Sequence, residues 1–150
     1  MSNRSDRHVP ESADDAAVVE AAHRAYYAAW EEADVDTLVE AWLDSEGVCC
    51  AYPGVTPVHG RRAVFAQIAE GVDLTPGIQF LFEDVVVVVR GNVARLSCVE
   101  TVVSGAFDLS DLDLQTSRLA TTTTFVGTAD GWKIWTHHAG PVLSDVHLED

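Results

Sequence analysis

The sequence predicts an α+β fold in which helices come first and an antiparallel sheet follows. Apolar residues recur at helical spacing up to about residue 71, and from Ile78 onward the pattern changes to β-branched runs separated by turn dipeptides. Helices segregated from strands in this way pack on one face of the sheet rather than alternating with its strands.

Ser12, with Asp15 three residues on, forms a capping box for a first helix that runs to about Ala33. Within it Val18, Ala22, Tyr26 and Trp30 recur every four residues, with Val19 and Ala29 alongside, so one face is apolar and aromatic. Asp34 caps a second, shorter helix whose buried side is marked by Val35, Leu38, Val39, Trp42 and Leu43, and the two helices make a hairpin. Residues 48–52 read as a brief strand closed by Pro53-Gly54. Gly60 opens a third helix with Val64, Phe65, Ile68 and Ala69 on its apolar face and Gly71 as its terminator. Four antiparallel strands are then expected at about 78–90, 93–104, 115–126 and 132–138, joined by Gly91-Asn92, the loop 105–114 and Asp130-Gly131. The five consecutive valines 85–89 leave no polar face, which implies cover on both sides of the sheet, the second supplied by a partner subunit.

A chain of 150 residues with 47% hydrophobic content suits one domain, expected at 12–143, with a disordered lead-in at 1–11 and an acidic tail at 144–150. Cys49, Cys50 and Cys98 are odd in number and form no C-x-x-C pair, so they read as small apolar residues in a reducing compartment. The polar amino terminus lacks an apolar signal segment, and no apolar run is long enough to cross a bilayer, so a cytoplasmic location without membrane attachment is expected. A formal net charge of -15, with nine basic residues scattered along the chain, argues against nucleic acid as a partner. Lys133 is the only lysine against 24 acidic residues, which matches either a high-salt cytoplasm or a plain acidic surface for solubility.

The segment 52–64, from Tyr52-Pro-Gly through His59-Gly60 to Arg61-Arg-Ala-Val64, resembles the turn and third helix of SnoaL-like proteins of the nuclear-transport-factor-2-like superfamily. Residues 131–138, Gly-Trp-Lys-Ile-Trp-Thr-His-His, resemble that family's last strand, and the opening from Tyr26 to Asp34 followed by Leu38 and Trp42 is similar too. The resemblance implies a cone-shaped half-barrel, a curved antiparallel sheet wrapped around three N-terminal helices. It also implies homodimers and an inner cavity that takes a small hydrophobic molecule. Two functional classes follow: a cofactor-independent isomerase, cyclase or dehydratase acting on a hydrophobic oxygenated, polyketide- or steroid-like substrate, or a non-catalytic dimeric ligand-binding or association domain. Against the ketosteroid-isomerase pattern, Tyr26 falls at the oxyanion-hole tyrosine, Tyr52 at the general-base aspartate and Thr123 at the second aspartate. Against the SnoaL-like pattern, Tyr52 replaces a histidine and Thr123 an asparagine.

Strand alternation gives an independent view of the pocket. Ala94, Leu96, Cys98, Glu100 and Val102 share one face, on which Glu100 is the only charge. An unpaired carboxylate buried there costs on the order of several kcal/mol, so Glu100 either reaches water at the cavity mouth or serves a ligand. On the last strand simple alternation turns Trp132, Ile134, Thr136 and His138 inward and His137 outward, which makes Glu100 and His138 a candidate acid–base pair with Tyr26 as third catalytic group. Trp30, one turn from Tyr26, and Tyr52, Leu96 and Thr123 are candidate ligand contacts, the aromatic ones serving equally well as core. His59, beside Gly60, is either a turn residue or a further ligand contact. Asp108, Asp111 and Asp113 read as a solvated acidic loop, no histidine spacing suits a metal, and no glycine-rich phosphate loop or G-x-S-x-G elbow occurs, so chemistry without metal or cofactor is expected.

Overall fold

The computed structural model of the protein describes residues 13–104 and 115–143. The expected Ser12 cap, the lead-in, the acidic loop and the tail lie outside the described residues. Three helices, α1 (Ala13–Glu31), α2 (Val35–Glu40) and α3 (Arg61–Leu74), lie against a sheet of six strands. The strands are β1 (Cys49–Ala51), β2 (Val58–His59), β3 (Gln79–Arg90), β4 (Val93–Ser104), β5 (Gln115–Thr128) and β6 (Gly131–Pro141), in spatial order β2-β1-β6-β5-β4-β3. The sheet is open and curved, as expected, but β1 runs parallel to β6, so it is not antiparallel throughout. None of the described helices is long and apolar enough to cross a membrane.

The helical hairpin forms where the sequence places it. Asp34 accepts the Thr37 backbone N–H at 3.2 Å and the Thr37 hydroxyl at 2.7 Å, a side-chain N-cap for α2. That helix stops at Glu40, short of Trp42 and Leu43, because the chain there pairs with β6: Ile134 N–H donates to Ala41 O and Leu43 N–H to Ile134 O, each at 2.8 Å. The buried stripe of α1 is rotated from the expected one. Val18 is 53% exposed, and the inward residues are Val19, His23, Tyr26, Tyr27 and Trp30, still at 3.6-residue spacing. Gly71 does not end α3, which continues to Leu74. A Cβ on Gly71 would stand 3.1 Å from Trp30 Cζ2, so the missing side chain lets α3 and α1 approach closely.

Two irregularities decide which side chains face inward. In β3 the register with β4 shifts between Glu83 and Val86, with Asp84 at φ 55. The extra residue puts Phe80 and Phe82 inward before it, and Val85, Val87 and Val89 inward after it. In β6 Thr136 pairs with Thr124 and Ile134 with Phe125, leaving Trp135 as the unpaired extra residue. Every side chain beyond that point moves to the opposite face from simple alternation. His137 is therefore buried and His138 exposed, the reverse of the expectation. On the concave side Leu96, Phe125, Ile134, Val64 and Ile68 form the dry base of the core, each at most 2% exposed.

Candidate functional site

Above that base the concave face stays open as a cavity of about 220 Å³. Tyr26, Tyr27 and Trp30 of α1 form one wall, Phe80 and Val102 of β3 and β4 a second, and Tyr52 and Pro53 after β1 a third. Gly71 and Thr75, at the end of α3, shape the rim, and Glu100, Leu119, His137 and Ala139 of the sheet also line the cavity. The rings brace one another edge to face: Tyr27 and Phe80 have centroids 4.7 Å apart, Trp30 and Tyr52 5.9 Å, Tyr52 and His137 5.8 Å. Trp30 Nε1 donates to Thr75 Oγ1 at 3.3 Å, and Thr75 Oγ1 donates to Gly71 O at 2.8 Å, which ties the α1 wall to the rim. An apolar cavity of about 150 Å³ takes benzene, so this one has room for a substituted ring or a fused pair.

Glu100 is 3% exposed and, among the described residues, is the only carboxyl that lines the cavity. Tyr27 Oη donates to its Oε2 at 2.8 Å and Thr121 Oγ1 donates to the same oxygen at 3.1 Å. Burial pushes the Glu100 carboxyl above its usual range, and the two hydroxyl donors oppose that rise. His137 is held the other way. Burial, then the neighbouring His23 and His138, lower it from 6.5 to about 3, so the ring is neutral, with Nδ1 2.9 Å from Thr123 Oγ1. That contact occupies Nδ1 and leaves Nε2 as the ring nitrogen for a ligand. Among the described residues no Lys or Arg lines the cavity, so an anion would meet no countercharge from them there.

Three phenols complete the polar groups. Burial raises Tyr26, Tyr27 and Tyr52, so each is a neutral hydroxyl donor rather than a base. Trp42 Nε1 donates to Tyr26 Oη at 3.2 Å. The Tyr52 hydroxyl lies by Tyr26 and the Cys50 thiol but has no aligned hydrogen bond, and a buried hydroxyl left so costs roughly 1–3 kcal/mol.

Of the residues that the sequence singles out, Tyr26, Trp30, Tyr52 and Glu100 converge on this cavity from three separate elements. Thr123 is buried beside it and holds His137 rather than lining the space. Leu96, fully buried, belongs to the core beneath. His59 is exposed on β2 and away from the cavity. His138 lies on the convex face, in a shallow groove with Ser97, Thr122 and Asp84, so a Glu100–His138 pair is excluded by the Trp135 bulge. Sequence reasoning missed His137 and Tyr27. The second was open to detection, since a stripe centred on His23 and Tyr27 has the same period as the one chosen.

Fold and site together define an NTF2-like protein, a curved open sheet closed by helices over an aromatic cavity that holds one buried acid. The chain belongs to the SnoaL-like domain family, which it matches over residues 19–144. It is similar in structure to a candidate dehydratase of the NTF2-like family from Streptomyces avermitilis, with 36% identity and a TM-score of 0.80, covering 87% of this chain and 98% of the other. It is also similar to a candidate calcium/calmodulin-dependent protein kinase type II association domain from Thiobacillus denitrificans, with 25% identity and a TM-score of 0.72, covering 82% and 94%. An NTF2-like protein with a cystatin-like fold from Novosphingobium aromaticivorans shares the fold at 20% identity and a TM-score of 0.71, covering 88% and 84%. No curated protein matches the chain.

Proposed function

We propose that the protein is a cofactor-independent acid–base enzyme of the lyase or isomerase kind, acting on an uncharged apolar molecule that carries a carbonyl and a hydroxyl group. The observation that carries this reading is Glu100, a buried carboxyl in an aromatic cavity with both hydroxyl donors on Oε2 and, among the described residues, none on Oε1. Neutral His137 lines the same cavity. Burial pushes the acid up and the base down, so both environments disfavour the charged forms. Dehydration suits such a pair, and the 36% identical Streptomyces avermitilis protein is a candidate dehydratase. A proton on the carbon beside the carbonyl passes to His137 Nε2 as Glu100 gives its proton to the carbonyl oxygen, and the electron pair of that C–H bond forms the C=C bond of an enol. The imidazolium and carboxylate so formed attract each other. The enol proton then returns to Glu100, the carbonyl re-forms as the C=C bond moves towards the next carbon, and the C–O bond there breaks with its pair on oxygen, which takes the proton from His137 and leaves as water. Proton transfers of this kind contribute about 10²-fold or more each.

The test uses 2-tetralone in deuterated water, following loss of its α-proton signal by NMR. Wild-type protein should accelerate exchange, and Glu100→Gln, which keeps shape but cannot transfer a proton, should lose about 10²-fold of that rate or more while still binding. Equal exchange in both proteins refutes the reading. Binding without exchange in the wild type favours the second reading, a non-catalytic ligand-binding domain, which the likeness to a candidate association domain supports.

The convex face supports a homodimer in either case. Leu81 (62% exposed), Val86 (51%) and Trp135 (40%) lie there uncovered, and a second sheet would cover them. Sedimentation should give a dimer at micromolar concentration in moderate salt and a monomer for Val86→Glu with Trp135→Glu. A wild-type monomer under those conditions sinks the dimer.

A further inference from the structure

We infer that Glu100 is the proton donor of the site, with its proton held on Oε1, and that Tyr27 and Thr121 are the positioning residues that put it there. The inference rests on the acid–base reading above and adds a direction to it. A carboxyl oxygen has two lone pairs, and on Oε2 both are engaged, one by Tyr27 Oη at 2.8 Å and one by Thr121 Oγ1 at 3.1 Å. Oε2 is therefore the carbonyl-like oxygen of the acid. The proton goes to Oε1, which accepts no hydrogen bond among the described residues, on a carboxyl that lines the cavity. Once the proton has left, the same two hydroxyls stabilise the carboxylate, so one arrangement serves both states of the group.

The two donors reach Glu100 from separate elements, α1 and β5, and both are fixed by their surroundings. Tyr27 is 5% exposed, wedged between the His23, Phe80 and Phe82 rings, and Thr121 is 2% exposed on the concave face. The other titratable groups around the carboxyl are Tyr26 on α1, Cys98 on β4 and His137 on β6, with His23 and Tyr52 one ring further out. The residues of β3 and β5 in register with Glu100 are Phe82 and Leu119, which are apolar. Among the described residues no Lys or Arg lines the cavity, so burial favours the protonated acid and the two hydroxyls oppose it.

Glutamate labelled with ¹³C at the carboxyl, titrated by NMR in the full chain and assigned with Glu100→Gln, tests this directly. Glu100 should titrate above the usual carboxylate range. Tyr27→Phe and Thr121→Val each remove a donor that favours the charged form, so each should move the midpoint further up, whereas Thr121→Ser keeps the hydroxyl and should hold the wild-type midpoint. The loss of 2-tetralone exchange with rising pH should follow the same midpoints. A wild-type midpoint in the usual range, or one that stays put or falls in Tyr27→Phe, overturns the inference even if exchange is catalysed. Midpoints that move as expected without any exchange overturn the acid–base reading and leave the location of the proton standing.

Discussion

Two buried histidines should make the fold acid-sensitive by an amount that the structure sets. His23 is 2% exposed with Nε2 unpartnered, and burial, with Arg24 nearby, lowers it from 6.5 to about 4. His137, 5% exposed, falls from 6.5 to about 3. Above pH 6.5 neither the folded nor the unfolded chain protonates these rings, so they take nothing from stability. As pH falls below 6.5 the unfolded chain binds protons that the folded one refuses, and stability is lost until the folded values are reached. A pH of about 5 lies about 1.5 units below the unfolded value of each ring and still above both folded values, so the loss is about 2 kcal/mol each and about 4 kcal/mol together. Glu100 works in the opposite sense. Its raised folded value means that the native state takes up a proton first as pH falls towards 4.5, which returns part of the loss. Urea unfolding followed by tryptophan fluorescence at about pH 7.5 and pH 5, for wild type and for His23→Phe with His137→Gln, isolates the histidine contribution, because the carboxylates are common to both. The double variant should lose about 4 kcal/mol less than wild type between the two conditions. Equal losses would mean that these rings are solvated or protonated in the native state and that the burial reasoning is wrong.

Two further outcomes follow from the geometry. His137→Gln should lower 2-tetralone exchange by about 10²-fold, while His138→Gln, on the convex face, should leave it unchanged, and the reverse would return the site to simple strand alternation. Melting temperature should rise between low and about 1 M potassium chloride, because the self-repulsion of a chain of net charge -15 is screened, and a flat or falling curve would remove that contribution.

The elements were legible in the sequence because each carries a local signal, such as the Asp34 cap or the turns at Gly91 and Gly131, with φ of 60 and 108. The face of β4 was legible too, since that strand is regular and Glu100 stands alone among apolar neighbours. The errors arose where an inserted residue or a rotation of the packing face left no local mark. Trp135 looks like any other strand aromatic, yet as the extra residue of a bulge it exchanges the roles of His137 and His138. A one-residue error in the centre of the α1 stripe hid Tyr27 and His23 behind Val18 and Ala22, because a helix flanked by alanines shows a broad apolar arc. Gly71 has the look of a helix stop, although its missing side chain serves close approach to Trp30, which no local pattern can reveal.

A crystal structure of the protein with 2-tetralone bound would show whether the aromatic cavity on the concave face takes the ligand. The rings should pack between Tyr27, Trp30 and Tyr52, with the carbonyl oxygen within hydrogen-bond distance of Glu100 Oε1 and the α-carbon facing His137 Nε2. Density for the ligand in the convex groove beside His138, or a concave cavity filled by its own side chains, would contradict it.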